Sequence, residues 1–269
     1  MNTFYSVIVI AASGLLSACG GAASKNDPHH IKVGITSGPE REIAEAAKKE
    51  AKEKYNLDVE LVTFNDYVVP NEALNQGDID VNAFQHVPYL EAQSKQRGYK
   101  LAVAGNTFVY PIVAYSKKIK SAAELQEGNT IAIPNDPTNG GRALLLLQKN
   151  GILKLREGVG LLPKVIDITE NPKQLKIVEI EAPQLPRVLD DSQVTIAIIN
   201  NNFAAQAGLD AATLGILQEE GTSPYVNVIA SREDNKDQEK VKNFVKAYQS
   251  DAVVKAAEKV FRGGAIKGW

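Results

Sequence analysis

Residues Pro134 to Gly151 read PNDPTNGGRALLLLQKNG, with turn formers crowded ahead of one arginine and four leucines. A glycine-rich loop that opens a helix can hold an anion. The first amides of a helix have no carbonyl partner, and the helix dipole is positive there. Two nucleotide-binding versions are absent. A Walker loop needs Lys and Ser/Thr after its last glycine, and a dinucleotide loop needs G-x-G-x-x-G straight after a strand; NGGRAL fits neither. What remains is Arg142 at a helix start, with Asn139 just before it. The planar guanidinium can grip a carboxylate with two hydrogen bonds, which lysine cannot do. A cation at that end of a helix costs roughly a few tenths of a kcal/mol. An anionic ligand or a structural Asp/Glu must offset it, and local chemistry leaves both open.

A second group is aromatic. NAFQH places Phe84 and His86 two residues apart at a strand end, so they share a face, and TFNDY adds Phe64 and Tyr67. Ligands of open α/β sheets sit beyond the carboxyl ends of strands, where these rings would make an apolar pocket suited to a thioether. Taken singly, each ring reads equally as core. A third group is Asn200, after VTIAII, and Asn227, inside YVNVIA. Asn is depleted in strands and a buried amide needs partners, which a ligand's amino or carboxylate group could supply.

Catalytic chemistry is thinly provided. Of three histidines, His29 and His30 stand together in a polar stretch, and His86 has no evident partner. There is no H-E-x-x-H or G-x-S-x-G motif. The pairs Asp78/Asp80 and Asp190/Asp191 sit beside turns and are expected to face water. One histidine in the folded body argues against a captured metal, and a net charge of -2 argues against nucleic acid. No catalytic residue, metal or cofactor is expected.

The elements that must position these groups begin with a leader. Phe4 to Ala18 is apolar or small and uncharged, short for a membrane span and suited to a signal peptide. LSAC ends at the only cysteine, Cys19, and resembles a bacterial lipobox, although MNT ahead of the apolar run carries no Lys or Arg. The expectation is a signal peptide over 1–18, lipid on the Cys19 sulfur with added acyl chains such as palmitate, and a tether over 19–30. From Ile31 strands and helices alternate, which favours an α/β fold with mainly parallel sheets. Extended runs near Thr107–Tyr115 and Pro224–Ala230 could cross between two lobes; a single continuous sheet is the alternative.

VELVTFNDYVVPNEAL, NAFQHVPYL, GNTFVYPIVAYSKKIKS, IPNDPTNGGRALLLLQK, EAPQLPRVLDD, SPYVN and GGAIKGW resemble the methionine-binding lipoproteins that serve methionine ABC importers. The resemblance covers nearly all of the chain after the tether. It implies a two-lobed periplasmic-binding-protein fold of type II, lobes joined by two crossing strands. Lobe 1 would be 31–110 plus 226–269, and lobe 2 would be 111–225. It implies that Phe64, Tyr67, Phe84, His86 and Tyr89 surround a thioether. Arg142 would pair with the α-carboxylate, helped by Asn139, and Asn200 and Asn227 would hold the ammonium and carboxylate groups. The implied partners are methionine, the importer's permease and ATPase, and the membrane through the lipid of a monomeric, periplasm-facing protein. Gly140 departs from the bulkier apolar residue frequent in the family. A structural or adhesive surface lipoprotein, or a paralogue for another amino acid or a Met-containing dipeptide, is the alternative.

Overall fold

A computed structural model describes residues 27–221 and 224–269. The expected leader, Cys19 and the tether up to Asn26 lie outside the described residues. Among the described residues no helix is long and apolar enough to cross a membrane.

The first sheet grows from β1 (His30–Thr36), which pairs in parallel with β2 (Asp58–Phe64) and β3 (Val81–His86). The links between these strands are α1 (Pro39–Tyr55) and α2 (Val69–Gln76), and α3 (Val87–Arg97) follows β3. The apolar stripe of α1 does what its period demands: Ile43, Ala47 and Ala51 are fully buried. β4 (Leu101–Val109) then runs through Tyr110, Pro111 and Ile112 into β5 (Val113–Tyr115), which belongs to a second sheet.

That sheet also holds β6 (Thr130–Pro134), followed by α4 (Pro137–Lys149) and a small hairpin of β7 (Lys154–Leu155) and β8 (Ile168–Glu170). Next come β9 (Lys176–Ile180), α5 (Leu185–Val188), β10 (Val194–Ile199), α6 (Asn201–Gln206), α7 (Ala211–Leu214) and β11 (Gly215–Gln218). The chain returns to the first sheet as β12 (Val226–Arg232). It ends in α8 (Glu239–Tyr248), α9 (Asp251–Phe261) and β13 (Ile266–Lys267). The sheet orders are β13-β4-β12-β3-β1-β2 and β11-β5-β10-β6-β9.

The two lobes have separate cores. Ile31, Val33 and Ile35 pack with α1 and with Val241, Phe244, Tyr248 and Phe261. Ile131, Ile133, Ile196 and Ile198 pack with Leu144, Leu146 and Leu147 of α4. Each buried leucine contributes about 1.5–3 kcal/mol, which anchors the helix that carries Arg142.

Two expectations need correction. The sheets are mixed, not mainly parallel. β12 lies antiparallel to β3 and β4, and β5 lies antiparallel to β10 and β11. The crossing through β4 and β5 leaves the first lobe and the one into β12 returns to it, so these neighbouring strands run in opposite directions. Asp80 does not simply face water: Lys240, 5% exposed, donates to its Oδ1 at 2.9 Å, and the Lys32 amide donates to Oδ2 at 2.8 Å.

Candidate binding cleft

The turn-rich loop before Arg142 is mostly helix. Asp136 is the N-cap of α4; its Oδ1 accepts from the amides of Thr138 at 3.2 Å and Asn139 at 2.9 Å. Pro137 fills the first helical position, where a missing amide costs nothing. The expected anion site at free helix amides is therefore taken by the chain's own carboxylate. Gly140 and Gly141 serve close packing, not a turn. A Cβ at Gly140 would stand 2.6 Å from the Pro134 carbonyl oxygen, and one at Gly141 would stand 2.9 Å from that of Leu161. Arg142 is the sixth helical residue, beyond the first turn where the dipole acts most strongly.

The offset that Arg142 requires comes from Glu219, in the second crossing. Nε donates to Oε1 at 3.0 Å and to Oε2 at 3.2 Å, and Nη2 also donates to Oε2. Nη2 reaches the Tyr110 carbonyl as well, at 2.9 Å, and the guanidinium lies 4.4 Å from the Tyr225 ring centre. Arg142 is 3% exposed, and its Nη1 carries no hydrogen bond to a described residue. That leaves one edge of a fixed fork for a further acceptor.

Around it is a narrow, partly open pocket between the two lobes. Eight residues expected from the sequence line it: Tyr67, Phe84, His86, Tyr89, Asn139, Arg142, Asn200 and Asn227. Phe64 does not. It packs beside Leu74, Ile79 and Leu90, on the side of β2 that faces α2 and α3. The rings form one wall. Tyr67 lies 5.6 Å from Phe84 and 5.9 Å from Tyr89, and Phe84 lies 6.2 Å from Tyr89; Phe203 of α6 meets Tyr67 from the other lobe at 4.9 Å. Antiparallel pairing of β12 with β3 sets Asn227 opposite His86, and Asn227 Nδ2 donates to the Phe84 carbonyl at 3.2 Å.

The tautomer of His86 follows from its partners. Nδ1 accepts from the Tyr89 amide at 3.1 Å and so caps α3; Nε2 must then carry the proton, and it donates to Asn139 Oδ1 at 3.1 Å. Burial, reinforced by nearby Arg142, drives the imidazole from 6.5 down to about 3, so it is neutral at physiological pH. Asn139 Oδ1 also accepts from Asn200 Nδ2 at 2.8 Å, while Asn139 Nδ2 donates to Asp136 Oδ2 at 3.0 Å. Asn139 is thus a link that orients its neighbours. With both amide ends used, Asn200 Oδ1 is left buried with no partner among the described residues, as is Asn202 Nδ2. Such atoms cost about 1–3 kcal/mol each unless something answers them.

Sequence reasoning missed Glu40, Tyr110, Asn201 and Asn202, which also line the cavity, and Glu219 and Tyr225, which hold Arg142. A run of three asparagines, Asn200 to Asn202, was the available signal for two of them. Hydrogen bonds join the lobes across the cleft. Tyr67 OH donates to Asn202 Oδ1 at 2.5 Å, Gln206 Nε2 to the Ser37 carbonyl at 2.5 Å, and Asn201 Nδ2 to the Gly264 carbonyl at 3.1 Å.

Comparison with known proteins decides the family. The NlpA lipoprotein profile matches residues 31–269. The chain belongs to the NlpA lipoprotein family. It is 64% identical to the D-methionine-binding lipoprotein MetQ of Escherichia coli (strain K12) over 268 residues, covering 100% of this chain and 98% of that protein. A crystal structure of the methionine binding protein MetQ superposes with a TM-score of 0.89 at 67% identity, covering 90% of this chain and 99% of that one. A nutrient binding protein from Burkholderia cenocepacia, solved bound to methionine, gives a TM-score of 0.86 at 51% identity, covering 89% and 100%. As an NlpA-family member, the chain has the two-lobed fold of periplasmic substrate-binding proteins.

Proposed function

We propose that this chain is the substrate-binding lipoprotein of an ABC importer and that its cleft captures methionine. The observation that carries the reading is one pocket combining a wall of rings with Arg142 and the unanswered amide atoms of Asn200 and Asn202. The rings suit the thioether: burial is worth about 1.5–3 kcal/mol, and each sulfur–ring contact about 0.3–1.5 kcal/mol. Arg142 Nη1 and Asn202 Nδ2 suit the carboxylate, and Asn200 Oδ1 suits the ammonium. Relatives named for methionine binding, and one solved with methionine bound, support the same ligand.

In this reading lobe 1 is 31–110 with 226–269, lobe 2 is 111–225, and the cleft between them opens by hinge motion of the lobes. Lipid on Cys19 holds the protein at the envelope membrane beside the permease and ATPase that receive the amino acid. A thermal-shift series with L-methionine, D-methionine, norleucine and methionyl dipeptides tests the ligand. Methionine is expected to raise Tm more than norleucine, which keeps the shape but lacks the sulfur. A shift with dipeptides alone would make the chain a peptide carrier instead.

A further inference from the structure

Glu40 is a buried ionisable group in the cleft. Gly38, at φ 85°, turns the chain from β1 into α1 and sets Glu40 in the helix's first turn. There it lines the cavity, 3% exposed. Oε2 accepts from the Thr36 hydroxyl, and Oε1 has no hydrogen bond from a described residue. The other titratable groups closest in influence are the phenols of Tyr67, Tyr110 and Tyr248, all pushed up by burial and so neutral. His86, in the same cavity, is neutral, and Arg142 is bound to Glu219. Among the described residues no lysine, arginine or histidine makes an ion pair with Glu40.

We propose that Glu40 accepts the ammonium group of the ligand and thereby makes the cleft select an amino acid over a simple carboxylic acid. The proposal rests on the methionine reading. The two ends of the zwitterion then meet opposite charges, Glu40 and Arg142. Asn200 and Asn227 offer neutral amide oxygens that orient the ammonium without balancing its charge. The positive end of the α1 dipole favours a carboxylate at Glu40. In the empty cleft, burial lifts this carboxyl from 4.5 to about 8, so it holds its proton near neutrality. When the ammonium arrives, the O–H bond breaks, the proton leaves for solvent, and the carboxylate keeps the electron pair. The cavity gains no net charge from the ammonium.

The test is calorimetry of wild type and Glu40→Gln with methionine and with its des-amino analogue, which keeps the thioether and carboxylate. Wild type is expected to prefer methionine strongly. Glu40→Gln is expected to weaken methionine by about tenfold or more, as loss of a charge-assisted bond does, and to bind the analogue within about threefold of wild type. A folded Glu40→Gln that keeps the full preference for methionine overturns the proposal. If the variant does not fold, wild type alone decides it. At pH 6.5 the binding heat must vary with the ionisation enthalpy of the buffer, as proton release requires, and a buffer-independent heat overturns the proposal. Wild type that binds the analogue but shows no preference for methionine overturns the Glu40 assignment alone. Failure to bind either compound overturns the methionine reading as well.

Discussion

The two walls of the cleft satisfy their polar atoms differently. On the side of β3 and α3 the side chains that line the cleft have their hydrogen bonds made, one of them across to α4. His86 caps α3 and donates to Asn139, and Tyr89 OH donates to the Tyr67 carbonyl at 3.0 Å. What this wall presents is ring surface. On the side of α4 and α6 the same accounting leaves atoms over: Asn200 Oδ1, Asn202 Nδ2 and the Nη1 edge of Arg142. One wall is finished before a ligand arrives and the other is not. The finished wall can supply non-directional burial, and the unfinished wall can fix orientation. A zwitterion with an apolar tail fits the cleft one way round.

That contrast can be broken from either side. The largest effect is expected from Arg142→Ala on the unfinished wall: methionine affinity falls about a hundredfold or more. Stability also drops, by about 3 kcal/mol, because the guanidinium is removed from a buried ion pair with Glu219. Calorimetry and urea unfolding measure the two losses. Arg142→Lys sharpens the point, since it keeps the charge but not the fork, and is expected to recover little of the affinity. Phe84→Ala attacks the finished wall. It is expected to cost about 3 kcal/mol of stability and about tenfold in affinity, with no change in preference between methionine and its des-amino analogue. A change in that preference would mean that the ring wall also orients the headgroup.

The smallest effect is on pH dependence, measured by urea unfolding of ligand-free protein. His86 has its folded value at about 3 against 6.5 unfolded. Its contribution to stability is present above about 6.5 and is lost as pH falls toward 3, because only the unfolded chain takes up that proton. Glu40 has the opposite sign, about 8 folded against 4.5 unfolded. Its contribution is present below about 4.5 and is lost as pH rises through 8. His86→Phe should flatten the acid limb and Glu40→Gln the alkaline limb.

The sequence was a good guide where a residue's type conflicts with its surroundings. Asn227 inside a strand and an arginine ahead of four leucines both asked for partners, and both line the cleft. It was a poor guide where the partner comes from the other lobe. Glu40 and Glu42 look alike in a charged helix. Only tertiary packing tells them apart: Glu40 is buried in the cleft and Glu42 is exposed. Glu219 sits in QEEG before a turn and reads as solvated. Phe64 and Phe84 both stand at strand ends, and nothing local says that one packs beside Ile79 while the other meets the cavity. The start of α4 was misread because Pro, Asn and Gly signal a turn equally well when they fill a capped first turn.

The Asp136 carboxylate over the first amides of α4 has a consequence for life in a crowded envelope. Phosphate, sulfate and phosphorylated metabolites compete for exposed amides at a helix start. Here that position already holds a covalently attached carboxylate, whose high effective concentration disfavours a free anion. The helix start is thereby closed to small anions, and the anion contact left in the cleft is that of Arg142.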